Sequence, residues 1–534
     1  MFKNHPKGLL PAALANMGER FGYYIMNAVL LLFLISKFGL SKEIGTVIYS
    51  CFYAGIYVLS LVGGIIADRR KNYKGTIQTG LMVMATGYIL LSIPILATPS
   101  NHVWLLAFTC VALFFIAFGN GLFKGNLQAI VGQMYDNLEK DAALKGEEAL
   151  KDAKAKRDPG FQIFYVFINV GGLIAPFVAP LLRSWWLGTK GLLYNATLPD
   201  LCHKFLKFGD SMVGANATTE QFAAAPKLYT NLMELTEKVS GHVVSGTEQL
   251  TSFCTNYLDV FNTGVHYSFI ASVAAMLISL IIFLSFKKIF PDPIKVKKNV
   301  ENYTQEETMQ MAQEIKQRIF ALFAVLGIVV FFWFSFHQNG ASLSLFAKEF
   351  VITSKIPPEI WQAINPFFVI TLTPVIIWFF ARMKNKGKEP STPRKIAIGM
   401  GIAGLAFLFM VIISKINGYP SATEFNDMDV AVSEGLKTGP WVLIVLYFFL
   451  TVAELFISPL GLSFVSKVAP KHMLGLCQGL WLAATAVGNG LLWVGPLLYN
   501  KYPIWICWTV FVVLCAISMI VMLSMVKWLE RVAK

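Results

Sequence analysis

Asn16-Met17-Gly18-Glu19-Arg20-Phe21-Gly22-Tyr23-Tyr24 sets a glutamate and an arginine side by side inside an apolar run that extends from Leu9 to Ser36. A run of that length is enough to cross a bilayer, whose hydrocarbon core of roughly 30 Å needs about 20 residues of helix. Ionised groups near the centre of such a helix cost roughly 2.5 to 3.5 kcal/mol each on insertion scales, so they persist when paired, facing a cavity or required. The stretch therefore reads as the first helix of a polytopic membrane protein whose buried charges line a transport or ion pathway.

Composition supports the membrane premise. Hydrophobic residues make up 55% of the 534-residue chain and charged residues 14%, with a mean hydropathy of +0.58, far from soluble usage. The first apolar run is too long for the hydrophobic region of a signal peptide and has no clear small-residue cleavage site, so the helix is expected to stay in the product. Twelve apolar runs begin near Leu9, Ile44, Thr76, His102, Gly160, Val260, Ile319, Pro358, Ile396, Trp441, Leu474 and Pro503. An even number of spans puts both termini on one side. Of the 45 Lys and Arg, 30 fall in the termini and even-numbered connections and 13 on the other side, with Arg20 and Lys124 inside helices. Both termini are thus expected in the cytoplasm. The net charge of +14 is accounted for by topology, with no nucleic-acid partner implied.

The connections divide the chain. An N-terminal six-helix bundle is expected at residues 1–187 and 259–289, an extracytoplasmic insert at 188–258, a cytoplasmic linker at 290–317 and a C-terminal six-helix bundle at 318–534. The stretch from Asp136 to Asp158 reads as a charged cytoplasmic helix of mixed sign. The insert is long enough for two or three short helices. It contains Cys202 and Cys254, which can pair in an oxidising compartment or stay free; Cys51, Cys110, Cys477, Cys507 and Cys515 sit in or beside apolar runs, where a thiol behaves as a small hydrophobe. Sequons at Asn195 and Asn216 matter only in a eukaryotic membrane. No CxxC, histidine cluster or other metal spacing occurs, and no Gly-x-Ser-x-Gly or His-Glu-x-x-His constellation supports an enzyme.

Few polar residues lie within the spans. Asn16, Arg20 and Tyr23 or Tyr24 recur at helical spacing and share one broad face that should line the bundle interior. Lys124 lies in the fourth run, Tyr57 in the second, Asn169 in the fifth, and Glu454 in the tenth with no cation in its own helix. Arg20 and Lys124 in the first half face a lone Glu454 in the second, an arrangement that suits a zwitterion such as a free peptide. Arginine grips a carboxylate with two hydrogen bonds, lysine serves as a point charge, and a buried glutamate partners an ammonium. Alternatively, Glu19 with Lys124 is a structural pair and Asn169 only bridges helices.

These residues carry a resemblance. Glu19-Arg20-Phe21-Gly22-Tyr23-Tyr24, Phe164-Tyr165 with Ile168-Asn169 and Gly171, Glu454 to Leu462, and Gln362 to Pro366 resemble motifs of the proton-coupled oligopeptide transporter family, a branch of the major facilitator superfamily. Gly63-Gly64-Ile65-Ile66-Ala67-Asp68-Arg69 is similar to the superfamily's loop between its second and third helices. The resemblance implies an all-α fold of twelve transmembrane helices in two six-helix bundles around a central cavity, with the site at the interface of the repeats. It implies proton-driven import of di- and tripeptides by alternating access in the inner (plasma) membrane, with no cofactor and with the protein acting as a monomer. The peptide carboxylate would meet Arg20, Lys124 and Tyr24, and the amino end Glu454, Asn169 and Asn365. Tyr23, Tyr57, Trp333 and Trp481 would line side-chain pockets.

Two departures bear on coupling. The family's first acid is replaced by Asn16, which cannot titrate, and His337 precedes Gln338 where many members carry an acidic residue. Glu19, Arg20, Lys124 and His337 are the expected proton-coupling residues, His337 alternatively being only a polar wall or cap. Weakened coupling, or another solute such as nitrate, a metabolite or a peptide-like drug, is an open alternative. A sensor without net transport would be favoured by a long cytoplasmic domain, and none is seen.

Overall fold

The structure is a computed structural model and describes residues 5–40, 42–195, 198–206, 226–244, 246–291, 305–340, 342–352, 363–428, 432, 435–470 and 473–532. In chain order the helices are α1 (Leu9–Phe38), α2 (Lys42–Arg70), α3 (Tyr73–Ser92), α4 (His102–Ala143), α5 (Glu147–Ala155), α6 (Arg157–Thr189), α7 (Leu198–Leu206), α8 (Pro226–Ser240), α9 (Thr247–Phe286), α10 (Gln305–Phe336), α11 (Ser342–Glu349), α12 (Ile364–Asn385), α13 (Thr392–Ile416), α14 (Ala422–Asp427), α15 (Trp441–Val468), α16 (Leu474–Gly490), α17 (Val494–Lys501) and α18 (Ile504–Val532). The start of the eighth apolar run at Pro358, and Gln362, lie outside the described residues.

Ten of the described helical segments are long and apolar enough to cross a membrane. The two remaining expected spans are α1 and α3, helices of 30 and 20 residues. α1 carries Glu19 and Arg20 in its first half and Lys37 as the single charge from Phe21 to Phe38. Both are nevertheless packed like spans. α1, α2, α3, α4, α6 and α9 pack on one another, as do α10, α12, α13, α15, α16 and α18.

Lipid tails are as apolar as leucine, so helices in a bilayer associate through close approach and hydrogen bonds rather than hydrophobic burial. Small residues supply the approach. A Cβ on Gly119 of α4 would lie 2.6 Å from the carbonyl oxygen of Gly80 in α3, and one on Gly171 of α6 would lie 2.8 Å from that of Met17 in α1. Serines of α9 supply the bonds, Ser272 Oγ donating to the Gly22 carbonyl at 2.9 Å and Ser279 Oγ to that of Ala15 at 2.5 Å. α1, which carries the charges, is thereby gripped from two sides.

The stretch expected as one charged helix is divided. α4 has 42 residues, about 63 Å at 1.5 Å per residue, so it runs well past the membrane before ending at Ala143. Gly146, with φ of 113°, breaks the path and α5 follows. In the insert, α7 packs on α9 and α1, and α8 packs on α7. Its last part, from Thr247, is continuous with the bundle helix α9. The Asn216 sequon lies outside the described residues.

Candidate binding site

The two charges of α1 are bound to each other. Arg20 Nε and Nη2 donate to Glu19 Oε2 and Oε1, each at 2.5 Å, and both side chains are buried. The amide of Asn120 in α4 donates a third bond to Glu19 Oε1 at 2.5 Å. The guanidinium carbon also lies 4.6 Å from the centre of the Tyr23 ring, a cation–π contact that adds attraction in a dry site. Three charge-assisted contacts therefore hold a carboxylate that the apolar run could not otherwise carry.

Lys124 lies one turn beyond Asn120 on α4 and is half-buried. The oxygens of Glu19 are held by Arg20 and Asn120, and the ammonium of Lys124 instead lies 4.8 Å from the centre of the Tyr57 ring. It stays within electrostatic reach of Arg20 and Glu19 on one side and His337 on the other. Tyr57 belongs to a ladder with Tyr49 and Tyr53, spaced by four on α2, with ring centres 6.1 and 5.4 Å apart. Tyr23 and Tyr24 meet edge to face at 5.4 Å.

Opposite lies Glu454 of α15, buried and bound by neutral donors. Tyr165 of α6 donates its hydroxyl to Oε1 at 2.5 Å, and Asn365 of α12 donates its amide to Oε2 at 2.7 Å and to Thr451 Oγ1 at 3.0 Å. Tyr165 comes from the first helix group and Glu454 from the second, so this bond crosses between them. Asn169, one turn beyond Tyr165, donates to the Tyr165 carbonyl at 3.1 Å. Tyr24 connects the two charged clusters, lying within electrostatic reach of Arg20, Glu19 and Glu454.

The remaining expected residues frame this space unevenly. The His337 ring stacks on Trp333 with centres 4.9 Å apart and interplanar angle 20°, and its Nδ1 bonds Asn489 Oδ1. The Trp333 indole nitrogen is buried with no hydrogen-bond partner among the described residues. Trp481 fills the notch left by Gly461, where a Cβ would run into its ring; this contact joins α16 to α15. The amide nitrogen of Asn16 is also buried and without a partner among the described residues.

A second polar constellation joins the helix groups at the start of α6. Asp158, at the start of α6, accepts Ser463 Oγ at 2.6 Å and Lys467 Nζ at 2.7 Å on Oδ1, and Thr392 Oγ1 at 2.8 Å and Lys395 Nζ at 3.4 Å on Oδ2. Arg157 binds Asp136 at 2.5 Å and Glu139 at 3.0 Å within its own group and reaches Ser466 Oγ at 3.1 Å across the divide. Asp68 accepts the backbone N–H groups of Gly475 and Leu476 at 3.1 and 2.8 Å, which places an anion at the positive N-terminus of α16. Backbones touch here too. A Cβ on Gly64 would lie 2.5 Å from the Gly475 carbonyl oxygen, and one on Gly479 would lie 2.8 Å from that of Ser60.

Sequence reasoning missed Asn120, Tyr165 as a partner of Glu454, and the Asp158 clasp. The first two had a signal, since Asn120 precedes Lys124 by four residues and Tyr165 precedes Asn169 by four, which puts each pair on one helix face. Among the described residues no group of three His, Cys, Asp or Glu side chains is placed to hold a metal ion.

The POT family model matches residues 74–239 and 294–506, well over half of the chain. The chain is 27% identical over 513 residues to Peptide transporter YePEPT of Yersinia enterocolitica, aligning 91% of this chain with 87% of that protein. It is 26% identical over 492 residues to Dipeptide and tripeptide permease B of Salmonella typhimurium, with 90% of this chain and 84% of that protein aligned. The crystal structure of peptide transporter POT in complex with sulfate superposes with a TM-score of 0.58 at 20% identity, covering 100% of this chain and 96% of that one. A POT family transporter in complex with 5-aminolevulinic acid gives a TM-score of 0.57 at 19% identity, with 100% and 98% covered. These structures share the fold of two helix bundles.

Proposed function

The chain belongs to the POT family, and we propose that it is a proton-coupled symporter that imports di- and tripeptides by alternating access, a transporter and not an enzyme. The observation that supports this most directly is the contrast in buried charge across the midplane. Arg20 and Lys124 stand on one side, and Glu454, held by neutral donors, on the other, with Tyr24 in reach of both. A peptide's carboxylate answers the first and its ammonium the second.

Peptide and proton then divide one ion pair between them, so that the binding of one favours the other. A peptide carboxylate that takes Arg20 leaves Glu19 as an unpaired buried charge unless Glu19 takes a proton. Arg20 and Lys124 take part in this exchange, His337 modulates it from the second group, and Asn120 keeps the carboxylate in place throughout. Asn169 and Asn365 help to seat the amino end, and Tyr23, Tyr57, Trp333 and Trp481 shape the side-chain pockets. The Asp158 clasp is read as a closed inner gate, with both termini in the cytoplasm and the protein a monomer in the inner membrane. The bundles span 1–187 with 259–289 and 318–534, joined by a linker at 290–317 and carrying the insert at 188–258.

Reconstituted in liposomes, the protein should take up dialanine faster with an inward proton gradient, and acetylating the amino end or amidating the carboxyl end should abolish competition. Glu19→Gln should retain counterflow exchange and lose gradient-driven accumulation. Uptake indifferent to both pH gradient and membrane potential would sink the coupling claim. Weakened coupling is the second reading, favoured by the neutral Asn16, whose amide nitrogen has no partner among the described residues and which stands where the family motif it resembles has an acid.

A further inference from the structure

The insert holds two cysteines that the fold brings into one dry place. Cys202 lies on α7 and Cys254 on the membrane-distal part of α9, and both are fully buried. α7 packs on α9, and the two thiols lie in one buried cluster within interaction reach of each other, across 52 residues of sequence. The helices that carry them are held together independently of the sulfurs. His203 Nε2 contacts the Ser36 carbonyl at 2.6 Å, which seats α7 on the end of α1. Leu193 N–H donates to the Val239 carbonyl at 2.9 Å, and Asn195 N–H to the Tyr257 hydroxyl at 3.1 Å. Phe205, Leu232 and Leu250 are buried around them. The pair is therefore placed by a folded subdomain.

We propose that Cys202 and Cys254 form a disulfide that staples the insert onto α9 and α1, the oxidant being a protein or small-molecule disulfide of the compartment outside the membrane. The proposal rests on the topology proposed above. One cysteine thiolate attacks the oxidant's S–S bond to give a mixed disulfide; the second thiolate then displaces the remaining oxidant sulfur. One S–S bond forms as another breaks, and the two cysteine protons end on the two thiols of the reduced oxidant. Burial pushes the Cys202 thiol above its ordinary range, so exchange takes place while the chain is folding, before α7 docks, and the finished bond is then shielded from reductants. The other five cysteines belong to the membrane helices and stay reduced.

The test uses full-length protein in native membranes, acid-quenched, denatured and reacted with maleimide-polyethylene glycol before or after reduction. Five adducts before reduction and seven after are expected of a chain with seven cysteines. Seven adducts in both samples would overturn the disulfide. A second arm places Glu248→Cys, an exposed position of the insert, in a Cys202→Ser/Cys254→Ser background and treats intact cells with a membrane-impermeant maleimide, labelling being scored above that of the same background with Glu248 kept. Labelling supports the outer location, so that seven adducts in the first arm would then count against the disulfide alone. Absence of labelling in protein that labels once the membrane is permeabilised would overturn the topology, and the staple with it.

Discussion

Asp158 and Glu454 are both buried carboxylates that join the two helix bundles, and they are satisfied in opposite ways. Asp158 is met by two lysines, Lys395 and Lys467, and two hydroxyls, so its charge is cancelled inside the protein. Glu454 is met by a phenol and an amide, which satisfy its hydrogen bonds and leave its charge standing. A buried carboxylate that brings its own cations closes a contact, and one that does not awaits a cation from outside. On the function proposed here, the first is a gate and the second a binding site.

Removing the uncancelled charge should have the largest effect. Glu454→Gln keeps one oxygen for Tyr165 or Asn365 and abolishes the attraction for an ammonium, a change worth about 2 kcal/mol or more, or roughly 30-fold in peptide affinity. Competition against labelled dialanine would show it, while an amino-blocked peptide should no longer distinguish variant from parent. An unchanged affinity for the free peptide would break the contrast. Asp158→Asn removes the anion that Lys395 and Lys467 share, leaving Lys395 its bond to Glu389 at 2.7 Å, and should shift the balance between closed and open gate by about tenfold. Spin labels at the exposed Lys145 and Lys386, one on each bundle, should report a larger population of long distances. An unchanged distribution would mean that Asp68 and the glycine contacts hold the gate unaided.

Tyr165→Phe takes one neutral donor from Glu454 without altering its charge. A single hydrogen bond to a charged group suggests a cost of about 1.5 kcal/mol, roughly tenfold at most in affinity, and the ammonium preference should survive. Tyr57→Phe retains an aromatic face for Lys124, so uptake should change by less than about twofold. A larger fall would give the Tyr57 hydroxyl a direct role toward peptide.

The legible parts of this molecule are those where a charge interrupts an apolar run. Glu19, Arg20, Lys124 and Glu454 announce themselves because the bilayer tolerates them only for a reason. Their partners do not. Asn120 meets Glu19 across 101 residues and Tyr165 meets Glu454 across 289, and asparagine and tyrosine are ordinary enough in membrane helices to draw no notice. Lys124 illustrates a subtler failure. Its charge suggests pairing with Glu19, yet Arg20 is adjacent and forked, and it takes both carboxylate oxygens first. Asp158 was hidden by its neighbourhood, since it closes a strongly charged linker in which mixed signs normally mean solvated surface.

α4 links the Glu19 cluster to the clasp around Asp158. Asn120 and Lys124 sit at its middle, and Gly132, eight residues or about 12 Å farther along, lies against Ser466 of the other bundle, where a Cβ would come within 2.9 Å of the serine Cβ. On the function proposed here, the helix is a lever whose load arm ends at the clasp. A tilt of about 15° imposed at Lys124 sweeps Gly132 through about 3 Å over that 12 Å arm, comparable to the 3.1 Å reach of Arg157 to Ser466. A small ligand that repositions one ammonium thus has leverage enough to unseat a contact it never touches.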